Sequence, residues 1–228
     1  MKVIDVNDIN TYPKEFIDFM KKEKETLNNT FKGGEISMSC ECYLFEHIDA
    51  MFDGFYFKCI HASRVNDIND IYNEGILLPS NSDELVNIIL NPIKNQLGQD
   101  YTRIKGKLSE DIKHKKYQTL HYVIGGINDI TISNYFLMLD KYGGELLEDI
   151  MYDDTILYNK IVNFGKPVAV LFGLNNKQIR PEFLAEIYSY MLEKLLYSAK
   201  KHFFRESWIY ETVKSNEIIE VKELMNYD

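Results

Sequence analysis

Cysteine is scarce in this 228-residue chain: Cys40, Cys42 and Cys59 are the only three. An odd number excludes a fully paired disulfide framework, and no C-x-x-C pair has a matching His/Cys partner, so a zinc site is not expected. The expected state is three reduced thiols in a cytoplasmic protein. The five histidines, His47, His61, His114, His121 and His202, show no H-x-x-x-H spacing, and no metal is expected. Basic charge is in deficit, with 26 Lys and Arg against 35 Asp and Glu and a net charge of −9, which argues against a broad basic face for phosphate backbones. There is no P-loop, no G-x-G-x-x-G and no G-x-S-x-G. The N-terminus MKVIDVNDINTYPKEF lacks the charged and apolar regions of a secretory signal. No apolar run approaches the roughly 18–20 residues of a membrane span, so no membrane partner is expected.

What is present reads as one α+β domain, 35–228, behind an N-terminal helical extension, 1–34. Residues 13–30 carry an amphipathic stripe of Phe16, Phe19, Met20 and Leu27, with Pro13 suited to the first turn. Residues 35–45 alternate as a strand. Residues 83–97 continue a helical pattern that Pro92 is expected to kink or end. The polar segment 98–118 holds the one marked basic cluster, Arg103, Lys105, Lys107, Lys113, Lys115 and Lys116 with His114. It reads as a solvated loop or helix face, or else a contact for an anionic target. Strands are expected at Leu120–Ile124, Tyr135–Leu139 and, continuously apolar, Pro167–Phe172. The longest helix is expected over 181–202. Two strand-like pieces, Ser207–Val213 and Ile218–Leu224, close the chain.

Three places concentrate chemistry. Phe55-Tyr56-Phe57-Lys58-Cys59-Ile60 is an apolar run that ends in His61, Ser63 and Arg64, followed by I-x-x-I-x-x-x-G-I from Ile68 to Ile76. A strand end bearing polar side chains is where a site is commonly built. Tyr135 and Tyr142 flank an apolar strand that runs into Tyr142-Gly143-Gly144-Glu145. Near the end, Phe203-Phe204-Arg205-Glu206-Ser207-Trp208-Ile209 puts a glutamate at the start of a late strand.

The first and third places resemble the ADP-ribosyltransferase superfamily, in the branch of poly-ADP-ribose-polymerase-like and DNA-base-modifying bacterial toxins. The likeness covers about 25 residues around His61 and about 20 from Glu206. It implies a split core of two packed, mostly antiparallel sheets with flanking helices, and NAD as substrate. By resemblance His61, with Ser63, contacts an NAD ribose, Arg64 reaches the pyrophosphate, and Tyr135 or Tyr142 stacks on nicotinamide. Glu206 is then the catalytic carboxylate, with Glu145 as a rival and Glu211 as another. A carboxylate beside the ribose would stabilise the oxocarbenium-like cation formed as NAD is cleaved. The chain has no Q-x-E or E-x-E pair there, since Phe204 stands two before Glu206, so the acceptor, protein or nucleic acid, is not assigned.

The expected function is therefore an NAD-dependent ADP-ribosyltransferase-like enzyme of toxin, effector or defence type. The alternatives are a catalytically inactive module of the same fold and an unrelated α+β interaction protein. The first reading expects His61, a tyrosine from 135–142 and a carboxylate to meet in one cleft.

Overall fold

The computed structural model describes residues 1–24, 47–78, 81–112, 119–126, 165–197 and 202–224. The expected strands at 35–45 and Tyr135–Leu139 lie outside these residues, as do Cys40, Cys42, Tyr135, Tyr142 and Glu145. In chain order the regular elements are β1 (Lys2–Ile4), α1 (Lys14–Lys22), β2 (Phe55–Val65), α2 (Ile68–Glu74), α3 (Ser82–Leu90), α4 (Lys94–Leu97), α5 (Tyr101–Ile112), β3 (Leu120–Ile124), β4 (Lys166–Leu174), α6 (Pro181–Tyr197), β5 (Arg205–Ile209) and β6 (Ile218–Glu223). The class is α+β, and the described strands form one six-stranded sheet in the order β5-β3-β2-β4-β6, with β1 also paired to β2. β1 runs parallel to β2, and β6 runs antiparallel to β4.

β2 is longer than its apolar run suggests. Eleven residues are extended, through Val65. His61, Ser63 and Arg64 therefore lie within the last five residues of the strand, toward the end where the sequence places them. A strand needs only one buried face, so polar residues can continue the ladder once one side is covered. Asp67 then starts α2, its side chain accepting from the Asn69 N–H at 2.9 Å.

The described chain divides into two compact units, and β2, β3 and β4 each contribute residues to both. The first comprises described residues within Met1–Cys59, Val123–Gly126 and Gly173–Ile209. Its core gathers Phe16 and Met20 of α1, Phe52, Phe57, and Ile187 and Met191 of α6. Phe52 and Phe57 stack at 5.4 Å, and Phe52 meets Tyr188 at 5.0 Å. One buried polar node crosses this core. Asn176, 5% exposed, donates through Nδ2 to the Asp49 carbonyl at 3.1 Å and the Asp49 carboxylate at 2.7 Å. The Tyr188 hydroxyl donates to the same carboxylate at 3.1 Å, and burial, with Asp49 beside it, pushes the phenol's pKa far up. Asn176→Ala takes one donor from the Asp49 carboxylate and one from its backbone carbonyl, and is expected to cost about 2 kcal/mol. Thermal denaturation should show a midpoint lower by roughly 4–8 °C.

The second unit comprises described residues within Ile60–Tyr122, Ile127–Phe172 and Tyr210–Asp228. β4 is buried over Val168–Phe172 and pairs with β6, Val170 facing Val221. Past Gly75 the chain makes one antiparallel bridge, Ile76 to Val213. The segment from α3 to α5 has a small core of its own. Val86, Leu90, Leu97, Ile104, Leu108 and Ile112 pack together at no more than 1% exposure. Asn81 caps α3, accepting from the Glu84 N–H at 2.8 Å. Among the described residues no helix is long and apolar enough to cross a membrane.

Candidate functional site

Alternation along β2 puts His61 and Ser63 on one face of the strand and Arg64 on the other. All three are half-buried. His61 Nδ1 lies 2.8 Å from the backbone carbonyl oxygen of His121 on β3. A carbonyl oxygen only accepts, so Nδ1 carries the proton and Nε2 keeps its lone pair. Desolvation lowers the His61 pKa from 6.5 to about 4; the bond to the His121 carbonyl opposes that shift and the nearby His121 ring adds to it. Protein atoms crowd the ring even though part of its surface meets solvent. The imidazole is thus a neutral, oriented acceptor at physiological pH.

This shift has a stability consequence with a definite sign. The folded pKa lies below the unfolded one, so the unfolded chain takes up the proton first as pH falls. The His61 contribution is complete above about pH 6.5 and is lost as pH falls from there through about 4. With allowance for the partial exposure, the loss is about 1–3 kcal/mol. Urea unfolding from about pH 7 to about pH 5 should show a steeper fall for wild type than for His61→Asn, and parallel curves would refute the assignment.

Arg64 donates through Nη2 to the Gly165 carbonyl at 3.0 Å, within the same unit. Gly165 has φ +61, and a Cβ there would meet the Val65 carbonyl oxygen at 2.9 Å. The β2 end and the residue before β4 are therefore in close backbone approach.

Glu206 belongs to the first unit, as the second residue of β5, and is exposed. Ser207 and Ile209 are buried on one face of that strand, so Glu206 shares the other with Trp208. The Arg180 guanidinium covers the Trp208 ring at 4.1 Å and pairs with Glu182. A guanidinium thus sits on the Glu206 face, one pleat along. On the other parity Arg205 Nε lies 3.6 Å from Glu186 of α6. A groove of about 470 Å³ runs between α6 and the approach to β5, lined by Glu186, Ser189, Tyr190, Phe203, Phe204 and Arg205 among others.

His61, Ser63 and Arg64 thus come together on β2 in one unit, and Glu206 lies in the other, each in its own setting. Glu211 is exposed in the second unit. The basic residues Arg103, Lys105 and Lys107 fall on α5, whereas Lys113, His114, Lys115 and Lys116 lie outside the described residues. Among the described residues no group of three or more His, Cys, Asp or Glu is arranged to hold a metal. Sequence reasoning missed Asn7, which bonds to Phe203 across 196 residues of chain and has no local motif to betray it. Comparison with known proteins finds no matching family, no matching curated protein and no matching solved structure.

Proposed function

We propose that this chain is an NAD-dependent ADP-ribosyltransferase-like enzyme of the toxin, effector or defence kind, acting in the cytoplasm on a protein or nucleic acid acceptor. The observation that carries the reading is His61, neutral and with its Nε2 lone pair fixed by the bond from Nδ1–H to the His121 carbonyl. That is the chemistry needed to accept a hydrogen bond from a ribose hydroxyl, the role the resemblance gives this histidine. Support comes also from the local shape of 55–76: a strand, a short capped helix, a glycine and a return to extended chain. The ADP-ribosyltransferase-like core is part of the same proposal.

In this reading Glu206 supplies negative charge to the ribose as the bond between C1′ and the nicotinamide nitrogen breaks. The bonding pair leaves with the pyridinium, which becomes neutral nicotinamide. An acceptor nitrogen or oxygen then bonds to C1′ and gives up its proton. Glu145 is the rival carboxylate. Arg64 is assigned to the pyrophosphate and Tyr135 or Tyr142 to the nicotinamide ring.

Nicotinamide release from NAD by the full chain, measured against Glu206→Gln, tests the reading. An NAD-induced rise in thermal midpoint without release indicates the inactive binding module instead. Neither release nor a rise indicates an unrelated α+β interaction protein.

A further inference from the structure

Among the described residues no hydrogen bond or ion pair holds the Glu206 carboxylate, which stands exposed on its strand. A reacting carboxylate has to be held to within about 0.5 Å. If the side chain has no polar anchor, its placement depends on the backbone of β5, and so on whatever fixes the three residues before it.

Those residues are fixed at Phe203. The Asn7 side-chain amide donates through Nδ2 to the Phe203 carbonyl at 3.0 Å, and its Oδ1 accepts from the Phe203 N–H at 2.9 Å. One amide therefore meets both backbone groups of a single residue, as a neighbouring strand would. The same Oδ1 accepts from the Tyr190 hydroxyl at 2.8 Å, so three of the amide's four hydrogen-bonding positions are filled. These partners also settle which end of the amide is nitrogen. Asn7 is itself braced: its N–H donates to the Asp5 carboxylate at 2.9 Å, and Asp5 pairs with Lys58 of β2. The Phe203 ring is buried between Tyr190 at 5.0 Å and Phe183 at 6.2 Å. On the far side Gly125 closes in, where a Cβ would come within 2.7 Å of the Phe204 ring and 3.3 Å of the Phe203 carbonyl oxygen.

We infer that Asn7 is a positioning residue for Glu206, clamping the backbone at Phe203 so that β5 presents the carboxylate in one place. The inference rests on the reading of Glu206 as the catalytic group. It adds a residue from the start of the chain to a site otherwise assigned from β2 onward.

The test uses the full chain with NAD as the probe. Asn7→Ala should lower kcat for nicotinamide release about ten-fold or more while KM for NAD stays within about two-fold, since misplacement by about 1 Å can cost as much as a hundred-fold. Amide exchange at Phe203 should accelerate in the same variant. Tyr190→Phe removes one of the three bonds and keeps the ring, so it is the milder variant, with an expected loss of about three-fold. Asn176→Ala is the control for destabilisation alone: it should lower the thermal midpoint and leave kcat within about two-fold. The inference is overturned if a folded Asn7→Ala or Tyr190→Phe protein keeps the wild-type kcat. Equal loss in Asn176→Ala overturns it too. Absence of release by wild type overturns the reading of Glu206 and the positioning role with it, while Phe203 exchange then still reports the clamp as a structural tie.

Discussion

Replacing Glu206 by glutamine is expected to slow nicotinamide release from NAD by about 100- to 1000-fold, the usual cost of deleting a group that stabilises transition-state charge. The substitution keeps the side chain's shape and removes only its charge. Glu206 is exposed on β5 and the buried residues of that strand are Ser207 and Ile209, so the fold does not depend on the carboxylate. Exposed substitutions of this sort change stability by no more than about 0.5 kcal/mol. A large loss of rate with an unchanged melting curve therefore has to be chemical. The NAD-induced thermal shift should survive, because binding in this reading draws on His61. Glu145→Gln and Glu211→Gln are the matching controls. If Glu206→Gln keeps its rate and Glu145→Gln loses it, the catalytic carboxylate is Glu145.

Gly75→Ala is the largest stability change expected from a single methyl group in the described chain. Gly75 follows α2 with φ 80 and ψ −156, a region that only glycine occupies readily. A Cβ there would lie 2.1 Å from the Val213 carbonyl oxygen and 2.9 Å from backbone atoms of Lys214 and Ser215. No rotamer change relieves a clash with backbone. The carbonyl it would strike accepts from the Ile76 N–H at 2.8 Å, and the Val213 N–H returns a bond to the Ile76 carbonyl at 3.0 Å. The methyl group thus combines backbone strain with the loss of this paired bridge, for a cost of at least about 4 kcal/mol. The thermal midpoint should fall by roughly 8 °C or more. Gly54 separates the two contributions. Its φ is 78, but a Cβ there meets nothing within 4 Å, so Gly54→Ala should cost only about 1–2 kcal/mol. Equal effects at the two glycines would show that the Val213 carbonyl does not block position 75.

The strongly patterned elements were legible in the sequence. Val168–Phe172 is a run of apolar residues too short for a helix, and it is the buried heart of β4. Leu120–Ile124 forms β3 as the sequence predicts. α3 stops at Leu90, two residues before Pro92; Asn91 still has helical angles, φ −60 and ψ −42, but Pro92 has no N–H with which to continue the ladder. Other elements were hidden for identifiable reasons. β1 is three residues long and gains its order from pairing with Phe55–Phe57, a partner no local pattern shows. For α5 the sequence leaves loop and helix face both open, because its buried residues, Ile104, Leu108 and Ile112, are single apolar positions four apart in a charged background. At the site, the residue types at 61, 63, 64 and 206 were visible, but their settings were not. That His61 is neutral follows from crowding and from the His121 carbonyl, and the clamp at Phe203 follows from an asparagine at the far end of the chain. Both are long-range facts, which spacing along a sequence cannot carry.

The three helices between Ser82 and Ile112 bury their apolar side chains against one another and are stitched together by Lys105 to Asn87 at 3.1 Å and Tyr101 to Asn91 at 3.3 Å. A segment with its own core has its own opening equilibrium, so these amides exchange with solvent through a fluctuation that leaves the sheet hydrogen-bonded. Mutational damage at Leu90 or Leu108 is first felt there as local melting. Positions such as Gln96 and Lys107 are exposed on its outside, so a change of charge or size there is expected to leave the interior four-residue spacing intact.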